Sequence, residues 1–236
     1  MSIEVFNRYE KKYFVTADQL PYVRERISEY MYLDEHNKDD QMYTICNIYY
    51  DTPNNDIVTR SIQRPEYKEK LRLRSYGTPS LDDKVFIEIK KKYEGLVNKR
   101  RSTILLKDAY DFIDTGKIGE MKPFMNRQIL EEIGYMLSIH EIVPAMFLAY
   151  DRLAYFDKSD DDFRLTFDAN IRTRRDDLRL EHGSRGSLLL DKDTYIMEIK
   201  AVNAVPLWFA KLLSDFRLYP ISFSKYGTRF LKEIAQ

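Results

Sequence analysis

Charged residues recur at every second position along several stretches of this sequence. Lys70, Arg72 and Arg74 form one such set, Glu88, Lys90 and Lys92 another, and Glu10 with Lys12 a third. Tyr150 with Arg152, Arg164 with Thr166 and Asp168, and Glu198 with Lys200 continue the series. The positions in between are apolar: Leu71 and Leu73; Val85, Ile87 and Ile89; Phe163, Leu165, Phe167 and Ala169; Met197 and Ile199. In an extended strand residues two apart share a face, so each stretch sets an aliphatic face against a charged one. One such strand is an ordinary solvated sheet face. At least five of them, in a chain with enough helical segments to cover the aliphatic faces, imply charged faces turned inward.

A lumen lined by Lys12, Arg72, Arg74, Lys90, Arg152, Arg164 and Lys200 would repel itself by several kcal/mol unless counter-ions neutralised it. Its natural counter-ion is a highly charged anion, and guanidinium forks suit phosphate oxygens. The carboxylates of Glu10, Glu88 and Glu198 gain nothing from an anion alone. They read as oxygen ligands for Mg²⁺ or Mn²⁺ bridging protein and phosphate. The expected ligand is a metal-bound polyphosphate or nucleoside triphosphate such as ATP. The sequence has no Ser/His or Cys/His arrangement, and phosphoryl transfer to an anionic acceptor needs no side-chain nucleophile.

The elements that must carry these faces follow from periodicity. Strand-like runs fall at about 3–15, 43–51, 67–76, 84–93, 97–105, 145–156, 163–171 and 193–201, an even number suited to a closed antiparallel barrel. Helices are expected from the Thr16/Gln19 capping box to about Met31, over 107–115 with Gly116 as the stop, over 123–138, from Asn203 to about Leu218, and from Lys225 onward. The fold class expected is α+β: an eight-stranded antiparallel β-barrel with helices packed outside and a basic, polar lumen. Asp157 to Asp162 reads as a solvated turn, Arg172 to Arg185 as an exposed loop, Cys46 as a buried small residue and Trp208 as core.

Composition narrows the function classes. The chain has 236 residues, read as a single domain over 1–236, with 38 basic and 38 acidic residues, so no global charge advertises nucleic acid or membrane. A stacking platform for nucleic acid, built from Tyr and Phe among basic strands, is a further reading of these faces; zero net charge disfavours it. A single cysteine excludes an internal disulfide, and three scattered histidines (His36, His140, His182) disfavour zinc. No apolar run approaches the roughly 20 residues of a spanning helix, and no signal peptide is visible; a cytoplasmic protein is expected.

The same residues carry a resemblance. Arg8-Tyr-Glu-Lys-Lys-Tyr13, Ile48-Tyr-Tyr-Asp-Thr52, Lys70-Leu-Arg-Leu-Arg-Ser-Tyr76, Phe86-Ile-Glu-Ile-Lys90, Leu148-Ala-Tyr-Asp-Arg152, Arg164-Leu-Thr-Phe-Asp168, Met197-Glu-Ile-Lys200 and Ser222-Phe-Ser-Lys-Tyr-Gly227 occur in the order and spacing of the triphosphate tunnel metalloenzymes. Within that group the chain resembles the VTC (vacuolar transporter chaperone) domain of polyphosphate polymerases over nearly its whole length. The resemblance implies an eight-stranded tunnel with a basic interior. It puts Lys12, Arg72, Arg74, Lys90, Arg152, Arg164 and Lys200 at phosphate-binding positions, Glu198 at the divalent metal, Tyr150 beside a phosphate and Lys225 on a closing helix. Of the triplet Lys99-Arg-Arg101, one is expected to enter the tunnel, with Lys99 and Arg101 on one strand face. The wider group often opens on Glu-x-Glu-x-Lys. Here Arg8 replaces the first glutamate, which favours polymerase over triphosphatase.

The implied reaction is transfer of the γ-phosphate of ATP to a growing polyphosphate or pyrophosphate end. Arg72, Arg74, Lys90, Arg152 and Arg164 would hold the triphosphate, and Glu10 or Glu88 a water in slow hydrolysis. On this reading Arg72→Ala and Arg152→Ala lose activity without unfolding the protein. The alternatives are a triphosphatase or polyphosphatase of the same architecture, a binding module for polyphosphate or inositol phosphates without turnover, and the adenylyl cyclase activity found elsewhere in the group.

Overall fold

A computed structural model describes residues 9–63, 65–94, 96–202 and 204–235. Its strands are β1 (Tyr9–Thr16), β2 (Met31–Leu33), β3 (Tyr43–Asp51), β4 (Tyr67–Tyr76), β5 (Lys84–Tyr93), β6 (Leu96–Leu105), β7 (Val143–Asp157), β8 (Arg164–Arg174), β9 (Ser187–Leu188) and β10 (Thr194–Ala201). Its helices are α1 (Leu20–Ser28), α2 (Asp56–Ile62), α3 (Leu106–Thr115), α4 (Arg127–Ile139), α5 (Leu207–Asp215) and α6 (Lys225–Ile234). The eight long strands coincide with the eight expected runs. The N-terminal part of the first run, with Arg8, lies outside the described residues.

The chain divides into two compact units. The first comprises residues through Tyr43, Tyr150–Ile171 and Leu188–Phe223; the second comprises Thr44–Ala149, Arg172–Ser187 and the residues from Ser224 on.

In the first unit the strands are ordered β1-β10-β8-β7; β1 with β10 and β10 with β8 pair antiparallel, and β2 pairs the end of β7 antiparallel. Tyr13, Val15, Leu153, Tyr155, Leu165, Phe167, Met197 and Ile199 form the buried side, packed with Leu20, Val23 and Ile27 of α1 and Phe209 and Leu212 of α5. Trp208, expected as core, is half-buried at the edge of this core: it lies flat on Tyr30 at 4.6 Å and edge-on to Phe163. The capping box forms in both directions. Thr16 N–H donates to Gln19 Oε1 (3.1 Å) and Gln19 N–H to Thr16 Oγ1 (3.3 Å). The helix it precedes starts at Leu20, with Pro21 in the first turn where its missing N–H costs nothing. Helix α1 stops at Ser28, short of Met31, which instead starts β2. Asn203, the expected cap of α5, lies outside the described residues, and α5 begins at Leu207 behind Pro206. The acidic turn closes on itself: Asp157 Oδ1 accepts from the N–H groups of Ser159 (2.8 Å) and Asp160 (3.1 Å).

In the second unit the order is β7-β3-β4-β5-β6, with β7 represented by its residues before Tyr150. Ile48, Leu71, Leu73, Val85, Ile87, Ile89 and Ile104 bury against Phe112 and Ile113 of α3 and Leu130, Ile133 and Met136 of α4, and Cys46 is buried among them. Gly116 ends α3 in the left-handed region (φ 69°), its N–H on Phe112 O at 2.8 Å. Helix α2 was not expected from the sequence. Its cap is the buried Asp51, seven residues upstream of Val58. Oδ1 accepts from Ile57 N–H (2.8 Å) and Oδ2 from Val58 N–H (3.0 Å).

Two expectations need correction. The described pairings form an open ladder that ends at β1 in the first unit and at β6 in the second, and they do not close into a barrel. The first half of strand β6 is mostly exposed and carries Lys99, Arg100 and Arg101, the pattern of an edge kept from pairing by charge. The segment from Arg172 is not an exposed loop throughout. Strand β8 runs on to Arg174, whose buried guanidinium donates to the carbonyls of Asp177, Arg179, Gly183 and Arg185 and lies 3.5 Å above the Phe147 ring. Gly186 passes so close to Thr173 that a Cβ would sit 2.8 Å from its carbonyl oxygen.

Candidate functional site

The second unit carries a face built in register rows. Asn47, Arg74, Phe86 and Thr103 form one row across β3-β4-β5-β6; Tyr49, Arg72, Glu88 and Arg101 form the next. Lys70, Lys90 and Lys99 follow, then Lys68, Lys92 and Val97. Glu88 is 1% exposed, and three cations converge on it. Its Oε2 lies 2.6 Å from Arg72 Nε and 3.8 Å from Arg74 Nε; its Oε1 lies 2.7 Å from Lys99 Nζ. Burial alone would raise the pKa of Glu88, but Arg72, Arg74 and Lys99 outweigh it and hold the carboxyl at about 2. Burial, with Arg72 and Arg74 nearby, brings Lys99 down to about 8 against the pull of Glu88.

Of the basic triplet, Lys99 and Arg101 do share this face, Arg101 lying over the Phe86 ring at 4.8 Å. Arg100 points the other way, to Glu132 (2.8 Å) and Gln128 (3.0 Å) of α4. Lys225 is the first residue of α6, directly after the Ser224 cap, whose Oγ lies 3.5 Å from Lys70 Nζ. Two polar residues with no assigned role belong here. Asn47 accepts from Arg74 Nε (3.0 Å) and donates to Leu148 O (3.0 Å), and Tyr49 accepts from Arg72 (3.0 Å). Their signal was a buried amide and a phenol on the polar side of an otherwise apolar strand.

The first unit presents a second charged face. Lys12 pairs in register with Glu198 and Glu10 with Lys200; Glu198 faces Thr166 and Lys200 faces Arg164 on the next strand. Glu198 stands between Lys200 Nζ (3.2 Å) and Lys12 Nζ (3.7 Å), and Lys12 also donates to Phe223 O (3.0 Å). Arg152 binds Asp168 with both arms, Nε to Oδ1 at 2.6 Å and a terminal nitrogen to Oδ2 at 2.8 Å. Its guanidinium lies 5.1 Å from the Tyr150 ring centre, and Arg164 lies 4.8 Å from that of Phe156. Burial works against the charge on Arg152, but Asp168, Tyr150 and Glu198 prevail and push its pKa well above the ordinary arginine value. Asp168 is fully buried, so Arg152 stabilises the fold as well as the site. That changes the expectation that Arg152→Ala leaves folding intact.

The three carboxylates expected to bind metal are not brought into one cluster. Among the described residues no three His, Cys, Asp or Glu side chains stand close enough to hold an ion. Glu88 is enclosed by Arg72, Arg74 and Lys99 and offsets only part of their charge. Glu198 and Glu10 are diagonal neighbours on adjacent strands of one face, Glu10 exposed. Mg²⁺ characteristically takes one or two protein carboxylates and completes its shell with water and substrate phosphates. Glu198 and Glu10 fit that donor set; Glu88 does not.

A family model described as the VTC domain matches residues 7–232 of this sequence. The chain belongs to the VTC domain family. Two curated relatives are similar to this VTC domain, both named vacuolar transporter chaperone complex subunit 4. The one from Trypanosoma cruzi is 24% identical over 95% of this chain and 34% of its own length; the one from Trypanosoma brucei brucei is 26% identical over 76% and 27%. The chain thus spans about a third or less of the relatives it matches. Among solved structures, a putative adenylate cyclase from Bacillus halodurans shares the fold at a TM-score of 0.56 and 14% identity, covering 95% of this chain and 98% of that one. A protein from Hippeastrum, described as a putative adenylyl cyclase with a dominant triphosphatase activity, does so at 0.50 and 16%, over 92% of each chain. These neighbours and the VTC domain share an antiparallel, sheet-rich α+β fold.

Proposed function

We propose that this VTC domain is a metal-dependent polyphosphate polymerase that transfers the γ-phosphate of ATP to the end of an inorganic polyphosphate chain. The observation that carries this reading is the pair of charged sheet faces, whose residues follow the order of the VTC motifs. On the second unit Arg72, Arg74, Lys90, Lys99 and Arg101 supply a fixed set of cations for phosphate oxygens. Lys225 at the head of α6 belongs with them. On the first unit Lys12, Arg152, Arg164 and Lys200 do the same, with Tyr150 supporting Arg152.

Charge on a transferring phosphoryl group is neutralised by groups already in place, so little reorganisation accompanies the reaction. Arg72 and Arg152 are oriented by carboxylates before any ligand arrives. Glu198, with Glu10, would hold Mg²⁺ or Mn²⁺, which supplies electrostatic stabilisation of the phosphate oxygens and a template for their alignment. The terminal phosphate of the acceptor is already anionic, so no general base is required. Glu10, exposed on the first unit's face, would orient a water in slow hydrolysis as a side reaction; Glu88 is held by its three cations.

The test is to incubate the purified protein with ATP and Mn²⁺, with and without a trace of pyrophosphate, and to resolve product lengths on a gel. A ladder with matching ADP release is expected. Orthophosphate without a ladder would replace the polymerase by a triphosphatase. Metal-dependent binding of polyphosphate with neither product would leave a binding module.

A further inference from the structure

Arg72 is held at two points before any ligand binds. Its Nε lies 2.6 Å from Glu88 Oε2, and one terminal nitrogen donates to the Tyr49 hydroxyl at 3.0 Å. Tyr49 is itself braced. Its ring stacks on Tyr226 of α6 at 5.0 Å with planes 24° apart, and the Tyr226 hydroxyl donates to the buried Asp51 at 2.8 Å. Asp51 is in turn fixed by the N–H groups of α2. The brace therefore runs Asp51, Tyr226, Tyr49, Arg72, and it joins α6 to the guanidinium.

We propose that Tyr49 is a positioning residue for Arg72: by accepting a hydrogen bond from one guanidinium arm while Glu88 holds the other, it fixes the plane that Arg72 presents to a phosphate. The proposal rests on the reading of Arg72 as a phosphate ligand. A guanidinium fork gains geometric specificity only when its plane is fixed, and a side chain immobilised beforehand loses less freedom on binding. Tyr226 keeps the Tyr49 ring from swinging away, so α6 contributes to the site without touching the ligand.

The arrangement carries a pH signature. The charged groups that face Tyr49 are Lys70, Arg72 and Arg74 of β4, with Glu88 of β5 behind Arg72; from α6 it meets the Tyr226 ring. Burial would raise the ionisation of Tyr49, but Arg72, Arg74 and Lys70 outweigh it and bring it down to about 8. A phosphate bound to the same cations must, by reciprocal linkage, move that ionisation to higher pH.

The experiment follows tripolyphosphate affinity and the tyrosinate ultraviolet band against pH, in the wild type and in Tyr49→Phe. The wild type should show one tyrosine ionising near pH 8, absent from Tyr49→Phe and shifted upward by tripolyphosphate. Tyr49→Phe should bind tripolyphosphate about tenfold more weakly at neutral pH, the loss of one hydrogen bond to a charged group, with its thermal midpoint little changed because the stack remains. Tyr226→Phe, which keeps the stack and loses the Asp51 bond, should show a smaller loss in the same direction. Unchanged affinity in Tyr49→Phe, or a tyrosinate band that tripolyphosphate does not move, overturns the positioning role. If the wild type fails to bind tripolyphosphate at all, the reading of Arg72 as a phosphate ligand fails first, a result distinguishable from either.

Discussion

The two units solve the same electrostatic problem in different ways. On the second unit one buried carboxylate, Glu88, serves Arg72, Arg74 and Lys99, and the neighbouring rows add Lys70, Lys90, Lys68 and Lys92. On the first unit the charges are nearly balanced. Asp168 is matched to Arg152, Glu198 stands between Lys12 and Lys200, and Glu10 faces Lys200. A cation-rich face suits a bare polyanion, whereas a face with carboxylates interspersed among its cations suits phosphate that arrives with a metal. That difference underlies the proposed division between polyanion grip and metal handling, and it can be tested one side at a time.

The largest effect is expected from Arg152→Ala, which strands the carboxylate of Asp168 in the interior. Breaking a buried pair by removing one partner costs about 3–5 kcal/mol, so chemical denaturation should show a marked loss of stability. Arg152→Met with Asp168→Leu should lose much less than the two single changes added together. Additive losses would mean that the pair does not couple.

Next in size is the acid response of the second unit. Glu88 has a folded pKa of about 2 against an ordinary 4.5, so it binds fewer protons folded than unfolded. Its contribution is fully present above about 4.5 and is lost as pH falls through about 2, worth on the order of 3 kcal/mol. Stability of the wild type measured across that window should fall more steeply than that of Glu88→Gln.

Ligand effects come third. Arg72→Ala should weaken tripolyphosphate binding about tenfold or more with or without metal, since a charge-assisted contact is lost in both cases. Glu198→Gln should do the opposite. It should leave metal-free binding equal or slightly tighter and remove most of the gain from Mn²⁺, read by titration calorimetry. If both variants behave alike, the two faces do not divide the work.

The smallest effect concerns Lys99. Its charge is lost as pH rises through about 8. Lys99→Gln should therefore weaken polyphosphate binding a few-fold at pH 7 and hardly at pH 9, in parallel binding titrations.

Legibility was uneven for physical reasons. The period-two alternation of β4, β5, β8 and β10 is local, so their charged faces could be read directly, as could the left-handed stop at Gly116; the end of β8 at Arg174 could not. Helix α2 was missed because its cap, Asp51, acts on N–H groups six and seven residues on and receives Tyr226 from α6, a partner distant in sequence. Arg174 was taken for a loop residue because nothing in Arg172-Thr-Arg-Arg175 announces four carbonyls gathered around one guanidinium. The candidate site followed the same rule. Its members were legible as face residues, but their partners were not. Glu88 reads as a metal ligand from its strand alone, and only the fold brings three cations onto it and sets Arg152 against Asp168.

The sequence by itself determined where the eight long strands lie, which faces are charged and which motifs recur in the VTC order, because each depends on near neighbours along the chain. The tertiary structure decided that Glu88 and Asp168 are buried against cations while Glu10 stays exposed. It also decided how Arg72 is braced and where the strand ladders end. Those outcomes depend on the approach of groups far apart in the chain, whose desolvation and pairing energies exist only once the strands lie side by side.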